Sequence, residues 1–118
     1  MPQVHVDFHE QGYNEPYYFA PAAEPYHAKW LHLAKGIPGN DRKNNAKHFD
    51  ANGWLFFTKE RFDLLYPSYG DTYPMYKGAI GMTFEQGGHS RGGAAVINED
   101  GDTLTLYDRL YHHFTTGQ

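Results

Sequence analysis

Strict alternation near the start of the chain constrains the fold more than any other stretch. In Val4-His5-Val6-Asp7-Phe8-His9, apolar and polar side chains take turns. On a strand, Val4, Val6 and Phe8 share one face, and His5, Asp7 and His9 share the other. Two further strands are expected, a short buried one over residues 54 to 58 (WLFFT) and one from Ala79 to Glu85. Helices are expected between and after them. One opens with Pro25 at its first position and carries Tyr26, Trp30, Leu33 and Ala34 to a stop at Gly36. A polar one runs from Asn40 to Gly53 with Phe49 as its apolar anchor, and a brief one follows from a Thr58 cap to Leu65. The last starts at Asp102 and presents Leu104, Tyr107, Leu110, Tyr111 and Phe114 on one face before Gly117. Such alternation predicts α/β layering with a short, mostly parallel sheet. Sites in such sheets gather at the carboxyl ends of strands. His9 and Glu85 both fall at expected carboxyl ends.

Connecting stretches are aromatic rather than flexible. Residues 12 to 25 and 66 to 78 are rich in Tyr and Pro and read as ordered loops. Residues 87 to 93 read as a glycine-rich connector and Asn98 to Asp102 as a turn. The 118 residues fit one domain with a modest core.

Composition excludes several classes. The net charge is -4, and scattered basic residues give no nucleic-acid footprint. No run is long and apolar enough to span a membrane, and no signal peptide opens these residues. Without cysteine there are no disulfides and no thiolate zinc sites. Ten Tyr and eight His remain as the distinctive stock.

Among these, His9 is of a type that ligates zinc, its second ring nitrogen being held by Asp7 or a backbone carbonyl. The plain alternative is a polar residue at a strand-loop junction. Glu85 is of a type that moves protons beside a metal-activated water. Its plain alternative is a cap or an ion pair with Arg91. Tyr66, Tyr69, Tyr73 and Tyr76 could hydrogen-bond a substrate, although such rings more often pack. His112-His113 near the end of the last helix reads as structural, since a helix carboxyl end favours positive charge.

"VDFHEQG", followed much later by "YPSYGDTYPMYKGAIGMTFEQGG", resembles the zinc carboxypeptidases of the carboxypeptidase A type. The resemblance spans nearly all of the chain. It implies a carboxypeptidase-like αβα sandwich and peptide hydrolysis at zinc. It makes His9 the metal ligand that ends a strand, Glu85 the general base and acid, and Tyr69 the substrate contact, with Tyr66 and Tyr73 as alternatives. It also implies export to the periplasm or medium. One departure is plain: no His-x-x-Glu occurs here, although that motif supplies the family's other ligands. The expectation is therefore the C-terminal half of a catalytic domain, with weak or absent zinc binding, no hydrolysis by the isolated chain, and self-association through edges or faces left bare. A peptide- or carbohydrate-binding module with an aromatic cleft is the competing reading. A cupin-like metal protein fits worse, because cupins need an all-β pattern and a His-x-His cluster.

Overall fold

The computed structural model describes residues 2–28, 39–89 and 93–118. They form a mixed α/β architecture. In chain order the elements are β1 (Val4–Gly12), β2 (Tyr17–Tyr18), β3 (Ala23–Tyr26), α1 (Gly39–Asn52), β4 (Phe56–Phe57), β5 (Asp63–Leu64), α2 (Thr72–Tyr76), β6 (Ile80–His89), β7 (Ala95–Ile97), β8 (Thr103–Thr105) and α3 (Leu106–Thr116). Among the described residues the main sheet has the order β1-β6-β2-β4. β1 pairs with β6 in parallel and β2 with β4 in parallel, but β2 meets β6 antiparallel. The sheet is thus mixed rather than uniformly parallel. Two small ladders, β3-β5 and β7-β8, stand beside it.

The alternation in β1 sorts the sheet into two unlike faces. Val6, Met82 and Phe84 join Tyr17, Phe19, Ala20 and Phe49 in the main core, which Trp54 and Phe56 extend. This core is largely aromatic. Phe19 stacks on Phe56 with ring centroids 4.8 Å apart, and Phe49 meets Trp54 edge-on at 5.2 Å. On the opposite face lie Asp7, His9, Thr83 and Glu85, in the register Asp7↔Thr83 and His9↔Glu85.

Several expectations are corrected. Pro25 and Tyr26 belong to β3, not to a helix; Trp30, Leu33, Ala34 and Gly36 lie outside the described residues. The brief helix from Thr58 does not form. Lys59 and Phe62 adopt positive φ (63° and 58°), which no helix tolerates, and the chain leaves them into β5. The two aromatic loops are partly regular, since β2 lies in the first and α2 in the second.

The glycine connector after Glu85 begins inside a strand, because β6 continues to His89. A Cβ on Gly87 would lie 2.7 Å from the Glu15 carbonyl, and one on Gly88 2.7 Å from the Arg109 side chain. The pair is needed because neighbours press on the strand from both sides. His9 and Glu85 therefore lie within their strands rather than at the ends.

The last helix starts later than its apolar pattern suggests. Leu104 is in β8, and Thr105 caps the helix in a reciprocal capping box with Asp108. Its orientation also inverts expectation. Arg109, His112 and Thr116 are buried, whereas Tyr107, Leu110 and Phe114 are 60–70% exposed. Polar partners decide this: Arg109 reaches Glu10, His112 reaches Gln86, and Thr116 bonds the Tyr17 hydroxyl at 2.8 Å.

Candidate functional site

Residues 76 positions apart, His9 and Glu85, are direct cross-strand neighbours in the central ladder. His9 Nδ1 lies 3.3 Å from Glu85 Oε2. The approach is poorly aligned, so Oε2 has no hydrogen-bond partner although its residue is only 6% exposed. The His9 ring, in contrast, is mostly in solvent. Across the other ladder Glu85 pairs with Tyr18, whose ring is fully buried against Phe62 and Phe57. Glu85 is thus walled in from one side and open toward His9. Arg91, the expected ion-pair partner of Glu85, lies outside the described residues.

The loop before α2 roofs this face. Two glycines let it approach. A Cβ on Gly70 would fall 2.0 Å from Asp7 Oδ2, and one on Gly81 would fall 1.7 Å from the Asp71 carbonyl. Only bare backbone at both points lets the loop lie flat on β1 and β6. Beneath it is a cavity of about 440 Å³, lined by Asp7, His9, Tyr69, Asp71, Thr83 and Glu85 together with Phe62, Asp63 and Gly70. Of the four candidate tyrosines, Tyr69 lines this cavity and is well exposed. Tyr66 and Tyr73 are exposed but do not line it. Tyr76 packs on the His27 ring and donates to the Leu65 carbonyl at 3.4 Å.

Electrostatics follow from the burial. Desolvation holds the Glu85 carboxyl above the usual carboxylate range; His9 counteracts this, while Asp7 and Asp71 add to it. Desolvation likewise pushes the Tyr18 hydroxyl up, helped by the charges of Asp71 and Glu85. A buried carboxyl with raised proton affinity that borders a cavity is the type of group that exchanges protons with a bound molecule.

His112 is a buried and His113 a half-buried side chain, both hydrogen-bonded, and positive charge at the helix end is not what places them there. Burial pushes the His112 pKa down to about 4 and also lowers that of His113. Both serve as neutral hydrogen-bonding groups, His112 with Gln86 and His113 with the Tyr17 hydroxyl at 2.8 Å. Sequence reasoning offered Asp7 only as a holder of the His9 ring, not as a residue lining the cavity, and missed Asp71. The alternation that puts Asp7 on the face of His9 was a usable signal for the first; nothing local marks Asp71.

Among the described residues no three His, Asp or Glu side chains converge as a metal site would require. The chemistry of the donor set fits zinc in part: an imidazole and a neighbouring carboxylate are present, but not three ligands. No protein-family model matches the chain. No curated protein and no solved structure matches it significantly.

Proposed function

We propose that these residues form the C-terminal part of a zinc-dependent, carboxypeptidase-like metallopeptidase domain, with its αβα sandwich completed by chain beyond them. The juxtaposition of His9 and Glu85 beside a cavity carries this reading. His9 would hold the metal with ligands from elsewhere, since a hydrolytic zinc site takes three protein ligands and one open position. When bound, zinc supplies Lewis-acid polarisation of the scissile carbonyl and of water. Glu85 accepts the proton of the attacking water and returns it to the leaving amine. Its raised proton affinity suits both steps. The Tyr69 hydroxyl, at the cavity wall, donates a hydrogen bond to the bound peptide.

The test is made in the whole protein. Glu85→Gln lowers kcat by about 10²–10⁴ with zinc content unchanged, whereas His9→Ala lowers zinc content. A Glu85→Gln enzyme of undiminished activity ends the reading. For the isolated chain the expectation is no hydrolysis and weak or absent zinc binding; calorimetry revealing a tight one-to-one site contradicts it.

Self-association belongs to the same reading. Among the described residues no strand lies beyond β1, so one of its edges is unpaired. Gln3 offers its carbonyl to Ile80 on the β6 side, so Val4, Val6 and Phe8 direct their backbone groups outward. An antiparallel copy centred on Val6 would place Val4 against Phe8 and His5 against Asp7, matching apolar to apolar and base to acid. Sedimentation equilibrium should show a dimer that Val6→Pro converts to monomer. A monomeric parent at high concentration removes the proposal.

A further inference from the structure

The apolar face of the sheet is left incompletely covered at its β1 margin. Val6 packs on the core and Phe8 on Phe84, yet Phe8 is 47% exposed and Val4 49%. A groove of about 310 Å³ runs beside them, between Val6, Phe8, Met82 and Phe84 on the strands and Thr116 and Gly117 at the end of α3. The helix leaves an apolar flank on the same side. His112 faces β6 through Gln86, while Arg109 and His113 face β1 through Glu10 and Phe8. Continuing round the helix in that sense, at 3.6 residues per turn, come Leu106, Leu110 and Phe114. These three are 46–62% exposed, and none carries charge. They lie past β1, where the main sheet has no further strand among the described residues.

Single exposed apolar side chains need no explanation, but a contiguous set marks a contact surface. We infer that the corner between β1 and α3 receives a second copy of this chain, with the α3 flank of each copy covering Val4 of the other. The inference rests on the β1 edge pairing proposed above. In that pairing Val4 of one copy stands against Phe8 of the other, on the same face of the joined sheet. Phe8 already lies under His113, with ring centroids 5.1 Å apart. The incoming Val4 therefore sits one row further out, beneath Leu110 and Phe114. Two-fold symmetry makes the contact twice. Val4, Phe8, Leu106, Leu110 and Phe114 together expose on the order of 500 Å² per copy, so the pair buries about 1,000 Å², where specific interfaces begin. Two paired strands alone are only marginally stable, and the helix flank supplies the apolar cover they lack.

Two measurements on the 118-residue chain test it. Sedimentation equilibrium compares the unsubstituted chain, Val6→Pro, and Leu110→Glu combined with Phe114→Glu. The paired glutamates should raise the dissociation constant at least about a hundredfold, tenfold for each copy of the newly buried charge. Leu110 and Phe114 are largely exposed, so the monomer should keep its fold. The second measurement does not depend on the glutamates. The chain has no cysteine, so a thiol can be placed at one chosen position. A short bismaleimide should join Val4→Cys copies to Phe114→Cys copies. It should not join Val4→Cys copies to Tyr111→Cys copies, because Tyr111 lies on the other flank against Trp54. If Val6→Pro yields monomer while the glutamates leave the dissociation constant unchanged and no Val4–Phe114 link forms, the inference is overturned and the edge pairing stands. The flank then belongs to a different occupant, either chain beyond these residues or another protein. An unsubstituted chain that stays monomeric removes both.

Discussion

Glu85 and Gln86 are adjacent, both nearly fully buried, and each meets a histidine, yet on opposite faces of the same strand they end up in opposite states. Gln86 Oε1 accepts from His112 Nδ1 at 2.7 Å, and its own amide donates to the Gly87 carbonyl. Trp54 covers the His112 ring at 4.4 Å. A cavity of about 350 Å³ borders this pair too, but the two polar atoms face each other rather than the space. Glu85 has a partner it cannot bond well, an oxygen left over, and a cavity bordering its residue. A satisfied polar pair adds to the fold. An unsatisfied ionisable one weakens it and is better explained by a ligand.

The largest effect that would sharpen this contrast is the acid response of His112. Its folded pKa, about 4, lies below the ordinary value of 6.5. The unfolded chain therefore binds more protons in that window. Stability is full above pH 6.5 and falls as pH drops toward 4, by about 3 kcal/mol in total. His113 is shifted the same way and steepens the fall. Chemical denaturation from pH 7 to 4 measures it, and His112→Asn should flatten the acid limb. An unchanged slope in that variant would mean that His112 is not the group responsible.

Next in size are the neighbouring substitutions. Gln86→Leu strands the His112 donor and should cost roughly 1–3 kcal/mol at any pH above 6.5. Glu85→Gln should do the reverse, stabilising the fold by about 1 kcal/mol at pH 7 by removing a poorly compensated buried charge. The folded pKa of Glu85 is raised, so its ionisation costs stability as pH rises through that pKa. The gain from Glu85→Gln should vanish below about pH 4, where the carboxyl is protonated in both states. If Glu85→Gln destabilises at pH 7 as much as Gln86→Leu, the two faces are alike and the contrast is lost.

How legible this was in the sequence differs by element. The alternation of Val4 to Phe8 and the apolar run from Ala79 revealed β1 and β6, because period-two patterning follows directly from the strand. The polar helix α1 came within a residue at each end, since Gly53, with φ 68°, closes it. The last helix misled because hydrophobic periodicity marks a helix but not which side it turns inward. Polar partners from β1, β2 and β6 settled that, and no local pattern encodes them. Pro25 misled because proline suits a strand's margin as well as a helix start. At the site, residue types nominated His9 and Glu85. Their pairing depends on register between distant strands, which no short motif specifies.

The smallest expected effect probes the weak side of the contrast. His9 is mostly exposed, so its attraction to Glu85 is screened, and losing it should change stability by no more than about 0.5–1 kcal/mol. The protonation equilibrium of Glu85 is the more sensitive readout. His9 holds that carboxyl down against desolvation, so His9→Ala should move its titration upward. Carbon-detected NMR of the Glu85 side chain follows this directly. The sign for stability is fixed by the same shift: a higher folded pKa makes ionised Glu85 costlier, so the small loss should be present at pH 7 and disappear at pH 4. His112→Ala on the opposite face should leave Glu85 almost unmoved, since His112 is not among the groups that shift it. Should His9→Ala leave the Glu85 titration in place, the two residues are neighbours in the ladder without being coupled, and the shared site they define in the cavity would have to be given up.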